Sequence, residues 1–273
     1  MEPAARRLYR LVEPIHLVTY FCEEPTEALM ALGLRNYWDG YFAGRAAPLG
    51  RVPAQVVHAI FYNFADGEVS RHIPRVWATA TPEEALAARE RGSVAALRRI
   101  LGHLADTPSL ARAAELATKA ATSPPTEGRA LYAGLRALPI PEEPVARLWH
   151  AATLLREHRG DGHIAALVAE GIGGTEAHVL HALSQGMPAE KFGRVHHLPA
   201  AQLAAVVDGM RARGLIDDDG WLSEAGRTKK ERIESITDDR AAPAYERLTP
   251  SELEQLIVDL EPISAVLEAA SPL

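Results

Sequence analysis

Apolar residues recur every three or four positions along most of this chain, and sustained apolar/polar alternation is almost absent. Leu8, Leu11, Val12, Ile15 and Val18 or Thr19 line one face of a helix over residues 4–21. Pro14 interrupts that run and is expected to bend or divide it. Residues 25–33 follow, with Gly33 as a stop, and Asn36 is placed to cap a helix over 37–46. Further helices are expected over 53–64 and 66–77. Thr81-Pro82-Glu83-Glu84 supplies a capping threonine, a first-turn proline and acids against the helix dipole, opening a helix to about Leu104. Helices over 107–122, 128–138 and 142–158 come next. Gly160-Asp161-Gly162 is expected to punctuate the last of these before helix resumes over 163–171.

From Thr175 the pattern changes. Helices are expected over 175–185, 188–195 and 199–213. Leu215-Ile216 and Leu222 then flank Asp217-Asp218-Asp219-Gly220, the sign of a small hairpin. Helices over 223–239 and 249–270 complete the chain. The fold class is therefore all-α with one small β-hairpin wing. A multi-helix region over 1–172 precedes a winged-helix-like region over 173–248 and a C-terminal helix over 249–273.

Composition agrees with helix, since alanine and leucine are abundant and β-branched runs scarce. Charge changes the picture more. Residues 1–174 carry 19 basic and 19 acidic side chains, whereas residues 175–273 carry 10 and 17, so the whole −7 lies in the last part. Cys22 is the only cysteine, which rules out an intramolecular disulfide and fits a cytoplasmic protein. No signal peptide and no run of about 18 apolar residues is present, so no membrane partner is expected.

The order helix, short helix, helix, hairpin, helix over 175–239 resembles the winged helix-turn-helix of MarR-type regulators. Arg211-Ala212-Arg213-Gly214-Leu215-Ile216 and Leu222-Ser223-Glu224-Ala225-Gly226-Arg227 carry that likeness. The chain as a whole is similar to an actinobacterial helix-turn-helix family, through Glu13-Pro14-Ile15-His16, Gly40-Tyr41-Phe42, Trp149-His150-Ala151-Ala152 and Arg156 to His163. The resemblance implies a regulator that reads DNA. Two features oppose this. The helix in the recognition position begins Leu198-Pro199-Ala200-Ala201-Gln202, with no basic residue in its first two turns. The wing tip is Asp217-Asp218-Asp219, and carboxylates there work against phosphate contact. DNA is accordingly an unfavoured partner. Arg227, Lys229, Lys230 and Arg232 alternate with Glu224, Glu231 and Glu234, as on a solvated helix face.

Candidate chemistry concentrates in two stretches. In Trp149–His163, His150, Thr153 and Glu157 share a helix face, and Arg156, Arg159, Asp161 and His163 follow closely. One reading is a pocket in which arginine holds an anion while His and Glu handle protons; the other is a hinge laced with salt bridges. If the protein is an enzyme, His150, Glu157 and His163 are its catalytic residues. In the second stretch Tyr41 and Arg45 align on a helix, with His16, Tyr62 and Asn63 as further ligand-binding candidates beside Trp149, Arg156, Arg159 and Asp161. The other reading there is an aromatic core. No HExxH, CxxC, P-loop or dinucleotide fingerprint is present, so no metal and no cofactor is expected, although His178/His181, His196-His197 and His158/His163 are grouped. The expectation is a small-molecule-binding protein of winged-helix regulator ancestry, with DNA binding weak or lost and a homodimer as a further partner. An acid/base enzyme and a ligand-responsive transcriptional regulator are the alternatives. The ligand expected is small and apolar or anionic.

Overall fold

The computed structural model describes residues 3–191 and 198–270. The protein is all-α, and among the described residues the only β feature is an isolated antiparallel bridge between Ile216 and Leu222. Contacts divide the chain into two units that interleave along the sequence. Unit 1 holds residues 1–53, 72–161 and 238–273, and unit 2 holds residues 54–71 and 162–237.

Unit 1 is built from α1 (Ala4–Phe21), α2 (Glu23–Met30), α3 (Tyr37–Ala46), α5 (Pro82–Leu101), α6 (Pro108–Ala121), α7 (Ala130–Arg136), α12 (Pro250–Ala270) and the first part of α8 (Pro144–Ala169). α1 is one continuous helix through Pro14, so the expected division does not occur; Leu8, Val12, Ile15 and Thr19 bury the stripe that keeps both halves in line. The start signals act as read. The Asn36 side chain accepts from Asp39 N, and Thr81 and Glu84 form a reciprocal capping box. Small residues let helices approach closely: a Cβ at Gly92 of α5 would stand 2.4 Å from Pro25 Cα. The helix expected over 66–77 is instead two 3-10 turns, Val69–Arg71 and Arg75–Ala78. Ile73-Pro74 lies between them.

The largest departure is α8. Gly160 and Gly162 do not break it, because both glycines lie within a helix that already has flanking turns to extend. From Val145 to Arg159 it is buried on nearly every side. Its polar residues are therefore interior, whichever face they occupy.

Unit 2 contains α4 (Ala54–Phe61), α9 (Gly174–Ser184), α10 (Ala200–Ala212), most of α11 (Glu224–Ala241) and the rest of α8. Val179, Leu180, Met210, Ile216, Leu222 and Ile233 pack in its core. Tyr62 adopts a left-handed φ of 59°, and its hydroxyl donates to the Ile172 carbonyl at 2.6 Å. A Cβ on Gly174 would meet the Tyr62 carbonyl oxygen at 2.0 Å, so only glycine starts α9 against that backbone. The expected hairpin is a tight turn: Asp217 N donates to Trp221 O at 2.8 Å, and the flanking apolar pairs are too short to extend beyond one bridge. Of the helix expected over 188–195, Ala189–Lys191 is a 3-10 turn and residues 192–195 lie outside the described residues, as do His196 and His197.

Candidate functional site

Four helices of unit 1 bring polar side chains into its interior. α1 contributes Glu13, His16, Thr19 and Tyr20; α3 contributes Tyr41 and Arg45; α5 contributes Arg89 and Ser93; α8 contributes Trp149, His150, Thr153, Arg156 and Glu157. Spacing puts the α1 and α5 residues on the inward faces of those helices, whereas α3 and α8 are buried on nearly every side there. Trp149 Nε1 donates to Thr19 Oγ1 at 2.9 Å, and that hydroxyl is 3.0 Å from Ser93 Oγ. His16 Nδ1 and Thr153 Oγ1 are 3.1 Å apart. These links tie α1, α5 and α8 together.

Glu157 is the electrostatic centre. Its Oε1 accepts from Arg156 Nη1 at 2.8 Å, and its Oε2 lies 3.6 Å from Arg45 Nη2. Arg45 also donates to Tyr41 OH at 2.7 Å, while Arg156 Nε lies 3.6 Å from Glu13 Oε2. Burial pushes the Glu157 carboxyl up, but Arg156, Arg45 and Arg89 together outweigh burial and hold it below the usual carboxylate range. His16 is driven well below the ordinary imidazole value by burial and then by Arg156, Arg89 and Arg45. His150 is lowered to about 4 by burial and the nearby Arg89 and Arg136. Both imidazoles are thus neutral at pH 7.

Arg45 and Arg156 pair with Glu157, Arg156 also lies near Glu13, and Asp161 is close enough to feel both Glu157 and Arg45. Arg89 takes part in none of the ion pairs among the described residues, although it helps to lower Glu157. Arg89 is 2% exposed, and its Nε and Nη2 are buried without a hydrogen-bond partner. Its guanidinium lies 5.4 Å from the Trp149 ring centroid, which offsets only part of the cost of burying a charge. His16 Nε2, Tyr20 OH and His150 Nε2 are likewise buried without partners. Arg89 lines both a small pocket of about 20 Å³, shared with Tyr20, Tyr41 and Arg45, and a cleft of about 340 Å³ that also reaches His150 and Thr153.

The structure brings His16, Tyr41, Arg45, Trp149 and Arg156 into this cluster with His150 and Glu157. Two further candidates of α8 have other partners in unit 1. Arg159 donates to Asp238 Oδ1 at 2.9 Å and lies over the Tyr9 ring at 4.3 Å. Asp161 accepts from Tyr132 N at 3.0 Å, capping α7, and burial raises its pKa to about 6. Tyr62, Asn63 and His163 fall in unit 2, where His163 Nδ1 is 2.9 Å from Thr237 Oγ1 and the Asn63 carbonyl is 3.0 Å from His178 Nε2. Neither unit holds His150, Glu157 and His163 together. Among the described residues no group of three or more His, Cys, Asp or Glu is arranged to hold a metal ion. No helix there is long and apolar enough to cross a membrane.

Arg89 is the member of this cluster that the sequence pattern does not single out. A signal existed: Ala85, Arg89, Gly92, Ser93 and Ala96 share one stripe of α5, so a cation sits among small buried residues.

The model of a helix-turn-helix family matches residues 5–273. The chain belongs to this family. No curated protein and no solved structure matches the chain. In this helix-turn-helix protein, α10 exposes Ala200, Ala201, Gln202, Ala204, Ala205 and Asp208. The basic residues of α10 and α11, and Arg213 just after α10, are largely engaged by neighbours: Arg211 with Asp208, Arg213 with Glu176, Lys230 with Glu234, and both Lys229 and Arg232 with Glu170. Asp218 and Asp219 are exposed at the turn. Unit 2 carries 9 Lys and Arg against 12 Asp and Glu.

Proposed function

We propose that this helix-turn-helix protein binds a small molecule bearing an anionic group, held in unit 1 by Arg45, Arg89 and Arg156. The observation that carries the reading is Arg89, a buried guanidinium that makes no ion pair among the described residues and keeps Nε and Nη2 without a hydrogen-bond partner. A buried cation without a counter-ion costs several kcal/mol, roughly, and an anionic ligand is what offsets that cost. Neutral His16 and His150 and the Tyr20 hydroxyl supply hydrogen bonds that fix ligand orientation without adding charge. The test is isothermal titration with a panel of small carboxylates and phosphates. Saturable binding that Arg89→Met, Arg45→Ala or Arg156→Ala weakens supports the reading; no binding by any member, or unchanged affinity in all three folded variants, rejects it.

Membership of a helix-turn-helix family favours interaction with DNA more than the charge pattern alone does, and a ligand-responsive regulator is the second reading. We assign α9 and α10 to the helix-turn-helix and the Asp217–Trp221 turn to a reduced wing, in the MarR-type arrangement, within a cytoplasmic protein. The uncharged face of α10 and the internally paired cations of α11 support DNA binding that is weak or lost, leaving unit 2 for packing or homodimer contact. A gel shift on the protein's own upstream region at low salt separates the readings. Retention of the free probe supports the first, and a sequence-selective shift that survives physiological salt supports the second.

A further inference from the structure

The cleft of about 340 Å³ in unit 1 has a layout that narrows the ligand class. Its volume lies near the small end of the range of about 300–1,000 Å³ for ligand sites. Its walls are apolar: Leu86 on α5, Leu135 on α7, Ile140 on the segment after α7, and Trp149 on α8. The polar residues Arg89 and His150 also line it, and both are at least nine-tenths buried with nitrogens that have no partner in the protein. Glu83 and Glu90 line it too, adding negative charge to an otherwise apolar wall. Arg89 also lines the small pocket beside Tyr20 and Arg45, so one guanidinium borders both the cleft and the charged cluster.

From this arrangement we infer that the ligand is a monocarboxylic acid with an apolar body, its carboxylate on Arg89 and His150 and its body along Leu86, Leu135, Ile140 and Trp149. This rests on the ligand-binding reading above and deepens it. One guanidinium without a counter-ion matches one negative charge. The neutral imidazole of His150, protonated at Nε2, donates a single hydrogen bond to the carboxylate without contributing a second positive charge. Glu83 and Glu90 disfavour a ligand with further negative charge, such as a phosphate dianion. The apolar walls give a hydrocarbon body a surface to leave water against, roughly 25 cal/mol for each Å² buried.

The experiment is isothermal titration of the full chain at pH 7 with octanoate, 1-octanol and octyl phosphate. The variants are Arg89→Met, Arg45→Ala and Ala87→Trp; Ala87 is an exposed residue of the cleft, so its replacement fills the cleft without entering the core. Octanoate is expected to bind saturably at one site, tighter than octyl phosphate, with 1-octanol giving no saturable heat. Arg89→Met is expected to weaken octanoate by about 10- to 100-fold, the loss of a charge-assisted contact. Ala87→Trp is expected to weaken it as well, and serves if Arg89→Met does not fold. Octanoate binding that survives both variants but is lost in Arg45→Ala overturns this site and leaves the ligand-binding reading standing. Preference for octyl phosphate overturns the ligand class alone. Failure of octanoate in the wild type, when another anion of the panel binds, also overturns only the class. Failure of every anion overturns both.

Discussion

Arg156 and Glu157 are adjacent in sequence and pair with each other, Nη1 to Oε1 at 2.8 Å, inside a helix buried on nearly every side. Consecutive residues of a helix point about 100° apart and seldom meet. They do so here because the Glu157 side chain is 2% exposed and has no water to turn to, and because Arg45 and Glu13 extend the pair into a four-residue network. A local sequence feature is thereby turned into an interior electrostatic one.

Glu157→Gln removes the carboxylate that Arg45 and Arg156 share. Breaking a buried pair by deleting one partner costs about 3–5 kcal/mol, and here Arg45 loses its carboxylate while Arg156 keeps only Glu13 at 3.6 Å. Chemical denaturation should show a loss of that order in unit 1. A loss below 1 kcal/mol or so would mean that water reaches the network.

Stability should fall as pH drops from about 6.5. His16, His150 and His158 all have depressed folded-state pKa values through burial, His150 to about 4 and His158 to about 3. In the window below 6.5 the unfolded chain binds protons at these positions that the folded chain refuses, so stability rises with pH there and is lost on acidification. Asp161 acts in the opposite sense: its folded pKa of about 6 exceeds the unfolded value, so its contribution is present below about 3.9 and is lost as pH rises through 6. Three imidazoles outweigh one carboxyl. Each unbalanced proton contributes about 1.4 kcal/mol per pH unit, and denaturation midpoints at pH 7 and pH 5 should differ in favour of pH 7. A higher midpoint at pH 5 would contradict the burial of these rings.

The acidic turn of unit 2 makes its own prediction. Asp218 and Asp219 are exposed, whereas Asp217 Oδ1 accepts from Trp221 N at 2.9 Å and holds the turn. Asp218→Lys with Asp219→Lys should therefore leave the fold intact and strengthen nonspecific DNA binding by about tenfold or more at low salt, through added phosphate contacts. Gel shifts with unrelated duplexes measure this directly. No gain would mean that the turn faces away from any bound DNA.

Much of the helical order was legible in the sequence. Asn36, Thr81 and Thr107 cap helices where the pattern placed caps, since capping is a local contest that three or four residues decide. Gly160 and Gly162 misled, because their local cost of about 1 kcal/mol each is small against the packing of a 26-residue central helix. The same burial explains the site. His16, Tyr41, Arg45, Trp149, His150, Arg156 and Glu157 could be named from residue type and spacing, but their meeting point depends on four helices converging, which periodicity does not encode. Arg89 escapes notice because an arginine in a helix that also carries Arg91, Arg98 and Arg99 reads as surface. Tyr62, Asn63 and His163 share residue chemistry with the cluster but belong to the other unit, a division of interleaved segments that no consecutive reading separates.

The claim that unit 1 keeps a guanidinium for an anionic ligand is tested most directly by thermal unfolding of the wild type and Arg89→Met, each with and without octanoate. Replacing an unpaired buried cation with a side chain of similar volume should stabilise the ligand-free protein by about 1 kcal/mol or more, raising Tm by roughly 2–4 °C for each kcal/mol. Octanoate should raise the wild-type Tm with increasing concentration and leave the variant unmoved. A variant that melts below the wild type, with octanoate shifting both equally or neither, would contradict the account.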